Sequence, residues 1–232
     1  IKEQKIDLET FEEERRIGEN HWYLSKLIRN DQIDEFITHI SQTNLSLNKI
    51  TIENSIFETN IFLFEKKPSL IQYASFFGSI KIAKYLLLNG VNLDSDIYKY
   101  VIHSNNPEIF HLFEEYYAIS NHKELLKLAI CCHHNDFVNY ISEFDDLDLN
   151  EPFEAHYFSE ILNSYNFTYL NENCFGNEMD DKDLILLFCK FDYYPIVEFF
   201  VTNKCIDINW EVNWDEYEII FNFIRHFLIF FG

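Results

Sequence analysis

Apolar and polar positions follow helical spacing along this chain, in short blocks that end at recognisable breaks. The clearest pair of blocks spans Ser69 to Asp94. The pattern predicts a short helix over Ser69–Phe77, a break at Gly78, and a second helix over Ile80–Asn89 that stops at Gly90. Ser79 stands where an N-cap belongs and is expected to accept a bond from an orphan backbone N–H of the second helix. Gly90 can take the left-handed conformation that ends that helix. A helix pair this small cannot bury its apolar face alone, so one such pair predicts neighbours to stack on.

The neighbours are visible in the sequence. The phrase around Gly78 returns in altered form around Asn105, His133 and Asp192, at separations of 27, 28 and 59 residues. The last separation is close to twice the others. It predicts a degraded unit in between, with a helix near Ala155–Tyr165. A weaker copy lies upstream in Leu27–Ile40. In this register His133 fills the slot held by Gly78. Pro107 falls in a first helical turn, where its missing N–H costs little. Asn105 and Asn106 precede it as expected caps, and Asn135 and Asp136 take the same role in the next copy. The apolar faces of the second helices read as core: Ile109, Phe110 and Phe113; Phe137, Val138 and Ile141; Ile196, Val197 and Phe200.

Around this array the pattern is less regular. Residues 1–40 read as N-terminal helices that include the degenerate copy. Within them Leu8–Gly18 is an acidic helix with Thr10 and Glu13 as a capping box. Residues 41–67 form a long connection, with Ile50, Ile52, Ile56, Phe57, Ile61 and Phe64 as candidate contacts that should pack it down. Residues 68–209 form the repeat stack, with loops expected at Glu143–Glu154 and Asn171–Lys182. Residues 210–232 are expected to close its end, Trp214–Phe231 folding as a capping helix. The apolar stretch Glu218–Gly232 is shorter than the roughly 20 residues that cross a bilayer, so no stable membrane insertion is expected.

The residues Ala74, Gly78, Leu86, Leu87 and Gly90 resemble the ankyrin consensus. The phrases Ser55-Ile-Phe-Glu-Thr-Asn, Asn106-Pro-Glu-Ile-Phe-His and Cys132-His-His-Asn-Asp are similar to a divergent ankyrin family expanded in flagellate protists, part of it known only as a domain of unknown function. The resemblance spans about Ile17 to Asn209. It implies an all-α, ankyrin-like α-solenoid of stacked antiparallel helix pairs that acts in protein–protein interaction without catalysis. The spacings fall short of the roughly 33 residues of a standard unit, so the β-fingers are expected to be short or missing. The ankyrin histidine position holds Gln72, Lys99, Lys127 and Leu186, which makes irregular finger bonding an expectation. In ankyrins the last residues of each first helix help to build the concave binding face. Carried over, these are Phe76 and Phe77, His103 and Ser104, Cys131 and Cys132, and Lys190 and Phe191. Phe76 and Phe77 are either interface anchors or packed on the 41–67 connection.

Charge narrows the partners. Eighteen basic against 39 acidic residues give a formal charge of −21. Nucleic-acid phosphates and anionic lipids would be repelled, and a protein partner with a basic patch is favoured. The acidity also serves to keep a chain with 24 phenylalanines in solution. Five cysteines, an odd number, show no disulfide framework. With no secretory signal visible, they point to a reducing, cytoplasmic setting.

Candidate chemistry is sparse. Cys131-Cys132-His133-His134 has the residue types of a zinc site, but neighbours on a helix point about 100° apart and cannot converge on one ion. No phosphate loop or dinucleotide motif is present, and no signature surrounds any cysteine or histidine. The sequence therefore assigns no cofactor and no catalytic residue. Two rivals to an interaction module remain: a folded copy of an expanded family without a dedicated partner, and an enzyme built on an unfamiliar pocket.

Overall fold

Eleven α-helices form among the described residues, and the same backbone device ends several of them. The computed structural model describes residues 8–43, 46–64, 66–144, 155–169, 188–191, 193–195 and 197. Two compact units divide the chain, Ile1–Asp146 and Leu147–Gly232. The first holds α1 (Leu8–Ile17), α2 (Tyr23–Arg29), α3 (Ile33–Ser41), α4 (Ile61–Phe64), α5 (Leu70–Phe76), α6 (Ile80–Leu88), α7 (Ile97–His103), α8 (Pro107–Glu114), α9 (His122–Cys131) and α10 (Asn135–Phe144). The second holds α11 (Ala155–Ser164) and a 3-10 turn at Phe167–Tyr169. The fold is all-α: the described residues contain no strand, only an isolated bridge between Thr51 and Ser69.

The turns inside the helix pairs place one residue in the left-handed region. Asp31, Gly78, Asn105 and His133 do so in the first unit, with φ of 49°, 66°, 49° and 59°, and Tyr165 does so in the second, with φ of 59°. Only one of the five is glycine, although a side chain there is strained. The N–H of the following residue then bonds back five positions, Gln32 to the Leu27 carbonyl, Ser79 to Ala74, His134 to Ala129, and in the second unit Asn166 to Ile161. This is the Schellman closure, which satisfies carbonyls that the helix end leaves open.

Capping differs in part from the sequence reading. Ser79 occupies the N-cap position of α6 but caps nothing with its side chain. Its hydroxyl donates to the Ile28 carbonyl, 51 residues back. The orphan amides of Lys81 and Ile82 are taken by the carboxylate of Asp31, each at 3.0 Å. Asn105 is the left-handed residue and not a cap; Asn106 alone accepts the Glu108 N–H, with Pro107 in the first turn. Thr10 lies inside α1, Leu8–Ile17, so it is not the N-cap that the expected capping box requires. A capping box does form at α5, between Ser69 and Gln72.

Contacts link alternate helices of the first unit. α2 touches α5, α5 touches α7, and α7 touches α9, while α3 touches α6 and α6 touches α8. Each pair is also closed on itself, α2 on α3, α5 on α6, α7 on α8 and α9 on α10. The apolar faces expected from the sequence meet here: Ile109, Phe110, Phe113, Val138 and Ile141 are fully buried. Each such side chain contributes about 1.5–3 kcal/mol of burial.

The connection between α3 and α5 packs irregularly. Ile52 and Phe57 are buried as expected, together with Leu63. Ile56, Ile61 and Phe64 instead face outward, at 73%, 91% and 51% exposure. α4 is a single turn, begun by the Asn60 side chain accepting the Phe62 N–H, and it turns Leu63 inward. Side chains tie the segment to the turn after α1. Thr59 donates twice to the Gly18 carbonyl, Asn20 donates to Glu53, and His21 bonds Ser55.

In the second unit Tyr157, Ile161 and Leu162 of α11 are buried, as are Phe188 and Val197. The Tyr193 hydroxyl donates to the Leu162 carbonyl, 31 residues back. The loop Asn171–Lys182, residues Ile196 and Phe200, and the C-terminal helix at Trp214–Phe231 lie outside the described residues. Glu143, expected in a loop, belongs to α10.

Candidate functional site

The candidate residues of the first unit occupy matching positions on three successive helices. Phe76, His103 and Cys131 are the last residues of α5, α7 and α9, and Phe77, Ser104 and Cys132 are their C-caps. Neighbouring ends touch. The Phe76 and His103 rings lie 5.1 Å apart, and His103 Nδ1 is 3.5 Å from Cys132 Sγ. The three helices therefore end side by side and run in the same direction.

Their side chains differ in availability. Cys131 is exposed, while Phe77, His103, Ser104 and Cys132 are half-buried. Phe76 is only 8% exposed, because the Phe62 ring from α4 stacks on it at 5.8 Å. Of the two phenylalanines, Phe76 packs on the connection and Phe77 keeps an accessible edge. The Phe77 ring rests on Tyr73 at 4.8 Å, with the Arg29 guanidinium 5.9 Å from its centre. Arg29 is itself fixed by Glu19, the Asn20 carbonyl and the Tyr73 hydroxyl.

Phe62 organises this surface. Its ring lies 4.1 Å from His103 and meets Tyr100 edge-on at 5.0 Å. The Lys66 ammonium sits 3.6 Å from the centre of the Phe62 ring and 5.6 Å from that of Tyr100. Sequence reasoning named neither Phe62, Tyr100 nor Lys66. The available signal was weak: an aromatic and a lysine four residues apart in a segment without periodicity.

Titration follows burial. Desolvation holds the His103 imidazole down at about 4, with His134 and Lys66 adding repulsion. Burial pushes the Cys132 thiol up. The pair is thus imidazole and thiol near neutrality, not the imidazolium–thiolate pair of an activated nucleophile. Burial, with Asp94 and Asp96 nearby, raises the Tyr100 phenol to about 12.

Compared with protein-family models, with curated proteins and with solved structures, the chain matches none. What the surface does must be read from its own geometry. A second row of polar contacts runs along the other ends of the same helices. Gln72 Nε2 donates to Asp94 at 2.8 Å, and Lys99 bridges Asp96 at 3.1 Å and Glu124 at 2.8 Å. Two residues at the expected ankyrin-histidine position thus join one helix pair to the start of the next.

In the second unit Lys190 is exposed and Phe191 half-buried, with the ammonium 5.6 Å from the ring centre. Around the cysteine–histidine run, His134 Nδ1 donates to the Ile102 carbonyl at 2.8 Å. No group of three or more His, Cys, Asp or Glu among the described residues could hold a metal ion. Among the same residues no helix is long and apolar enough to cross a membrane.

Proposed function

We propose that the chain is an ankyrin-like solenoid that binds a protein partner through the face where its first helices end. One observation carries the reading. The residue after two of the left-handed turns, Ser79 and His134, reaches the Ile28 and Ile102 carbonyls of the preceding helix pair, and in the second unit Tyr193 reaches the Leu162 carbonyl. A bond that recurs at equivalent positions, three residues before the previous turn, supports pairs repeated in space as well as in sequence. Stacked pairs leave a row of equivalent side chains along one face, and such rows serve in recognition. The partner-binding residues are Phe76, Phe77, His103, Ser104, Cys131 and Cys132 in the first unit, with Lys190 and Phe191 as their counterparts within the second. Cys131 is the exposed one in the first unit, Phe77, His103, Ser104 and Cys132 are half-buried, and the Phe76 ring packs against Phe77 at 5.0 Å. The partner is a protein with a basic patch, favoured by the formal charge of −21.

The test is competable recovery of one partner from the native cell, by proximity labelling followed by pull-down with purified chain. Phe77→Ala together with Cys131→Ser should abolish recovery while leaving the circular dichroism unchanged, with a loss of thermal stability that Phe77→Leu recovers without restoring binding. Recovery that survives both substitutions would place the binding face elsewhere. A folded chain that recovers nothing specific would favour the copy without a dedicated partner.

A further inference from the structure

One cation on this surface is held in an unusual way. Lys66 belongs to a chain with 39 acidic residues, yet its ammonium makes no ion pair among the described residues. It lies instead 3.6 Å from the centre of the Phe62 ring, with Tyr100 as a second ring at 5.6 Å. Its side chain is exposed, so the contact was not forced by burial in the core. An ammonium over an aromatic face is attracted by the ring quadrupole, and the attraction grows as water is excluded. Here two rings converge, and Phe76 and His103 back the Phe62 ring. Acidic side chains border the platform: Asp94 and Asp96 act on Tyr100, and Asp96 on Lys66. Lys99, a cation whose repulsion reaches Lys66, is already engaged by Asp96 and Glu124.

We propose that the Phe62–Tyr100 platform takes a lysine or arginine side chain from a basic segment of a protein partner, and that Lys66 stands in for that side chain in the free protein. The inference rests on the partner-binding reading above and names its chemistry. The aromatic rings select a cation, the bordering carboxylates add charge complementarity, and the overall acidity draws the basic segment in. Lys66 acts as an internal competitor. It sits beyond the end of α4, with Lys67 and Pro68 following, so an incoming cation displaces one side chain and leaves the helices in place.

The experiment uses the full chain and tetramethylammonium chloride, a cation that can bind an aromatic platform but forms no hydrogen bonds. Ring resonances of Phe62 and Tyr100 are followed by NMR during titration. Lys66→Met frees the platform and should give saturable shifts at both rings, with an affinity about tenfold above wild type, the scale of one lost competitor. Lys66→Arg keeps the platform occupied and should behave like wild type. Phe62→Leu in the Lys66→Met background should remove the response. The inference falls if Lys66→Met responds no better than wild type, or if the response persists without Phe62. Where Phe62→Leu lowers thermal stability, Tyr100→Leu serves as the second platform variant, and a response unchanged by it overturns the two-ring site. No partner protein enters this titration, so its failure would leave the recovery experiment above to stand or fall alone.

Discussion

The turn between α5 and α6 and the turn between α9 and α10 close in the same way with different residues. The first uses Gly78 and Ser79, the second His133 and His134. The left-handed φ is 66° in one and 59° in the other, and the same six-residue backbone bond follows each. Glycine enters that conformation freely and histidine does not. What the two turns share is the residue after the turn, whose side chain donates to a carbonyl of the preceding helix pair. The difference teaches that glycine is replaceable here, while a long-range donor is kept in both turns.

The comparison can be broken first at the packing that both turns serve. Leu86 is fully buried in α6, and its carbonyl accepts the Val91 N–H that closes the next turn. Leu86→Ala should cost about 2–5 kcal/mol in denaturant unfolding, and a loss under about 0.5 kcal/mol would place Leu86 outside the core. A smaller effect is expected from the donor itself. Ser79→Ala removes the buried donor to the Ile28 carbonyl, which keeps the Asp31 N–H at 2.9 Å, and should cost about 0.5–1.5 kcal/mol. If Ser79→Ala is silent, the shared donor is not what holds the turn. The next test sharpens the contrast: His133→Gly relieves left-handed strain and should raise stability by up to about 1 kcal/mol, whereas Gly78→Ala should lower it. A Cβ at Gly78 would meet Asn106 Nδ2 at 3.2 Å in addition to the strained backbone.

The last expectation concerns pH. Burial holds His103 at about 4 when folded, against 6.5 for an unburied imidazole. The unfolded chain therefore binds more protons in that interval, and stability falls as pH drops from about 6.5 toward 4. The contribution is fully present above that window. Chemical denaturation across it should show a shallower decline for His103→Gln than for wild type. Equal slopes would mean that His103 protonates alike in both states.

Much of this was legible from the chain alone, and the reasons differ residue by residue. His133 could be placed in the glycine slot because the apolar faces around it, Ala129 and Ile130 before, Phe137 and Val138 after, kept helical spacing. The helix at Ala155–Ser164 was reachable through the doubled separation between His133 and Asp192. The ends of the first helices could be named as a candidate site only through the resemblance to ankyrins, not from spacing. Ser79 was misread because its partner lies 51 residues away, and local rules see only the amides beside it. Those amides are served by Asp31, equally distant in sequence. Phe62 and Lys66 escaped notice because residues 41–67 have no period from which inward and outward positions could be told apart. There the packing is decided one side chain at a time, by bonds such as Asn20 to Glu53 and Asn60 to Phe62.

The same irregular segment has a consequence for how such a chain can change. It lengthens the separation across one junction to 51 residues, where the corresponding bonds elsewhere span 32 and 31. The entropy of closing a loop grows only with the logarithm of its length, so the longer span adds roughly 0.4 kcal/mol. An array built this way tolerates insertions between its units at little thermodynamic cost, provided the donor and carbonyl on either side are kept. The insertion here carries Phe62 and Lys66. New surface chemistry can thus arise between helix pairs without any change in the pairs themselves.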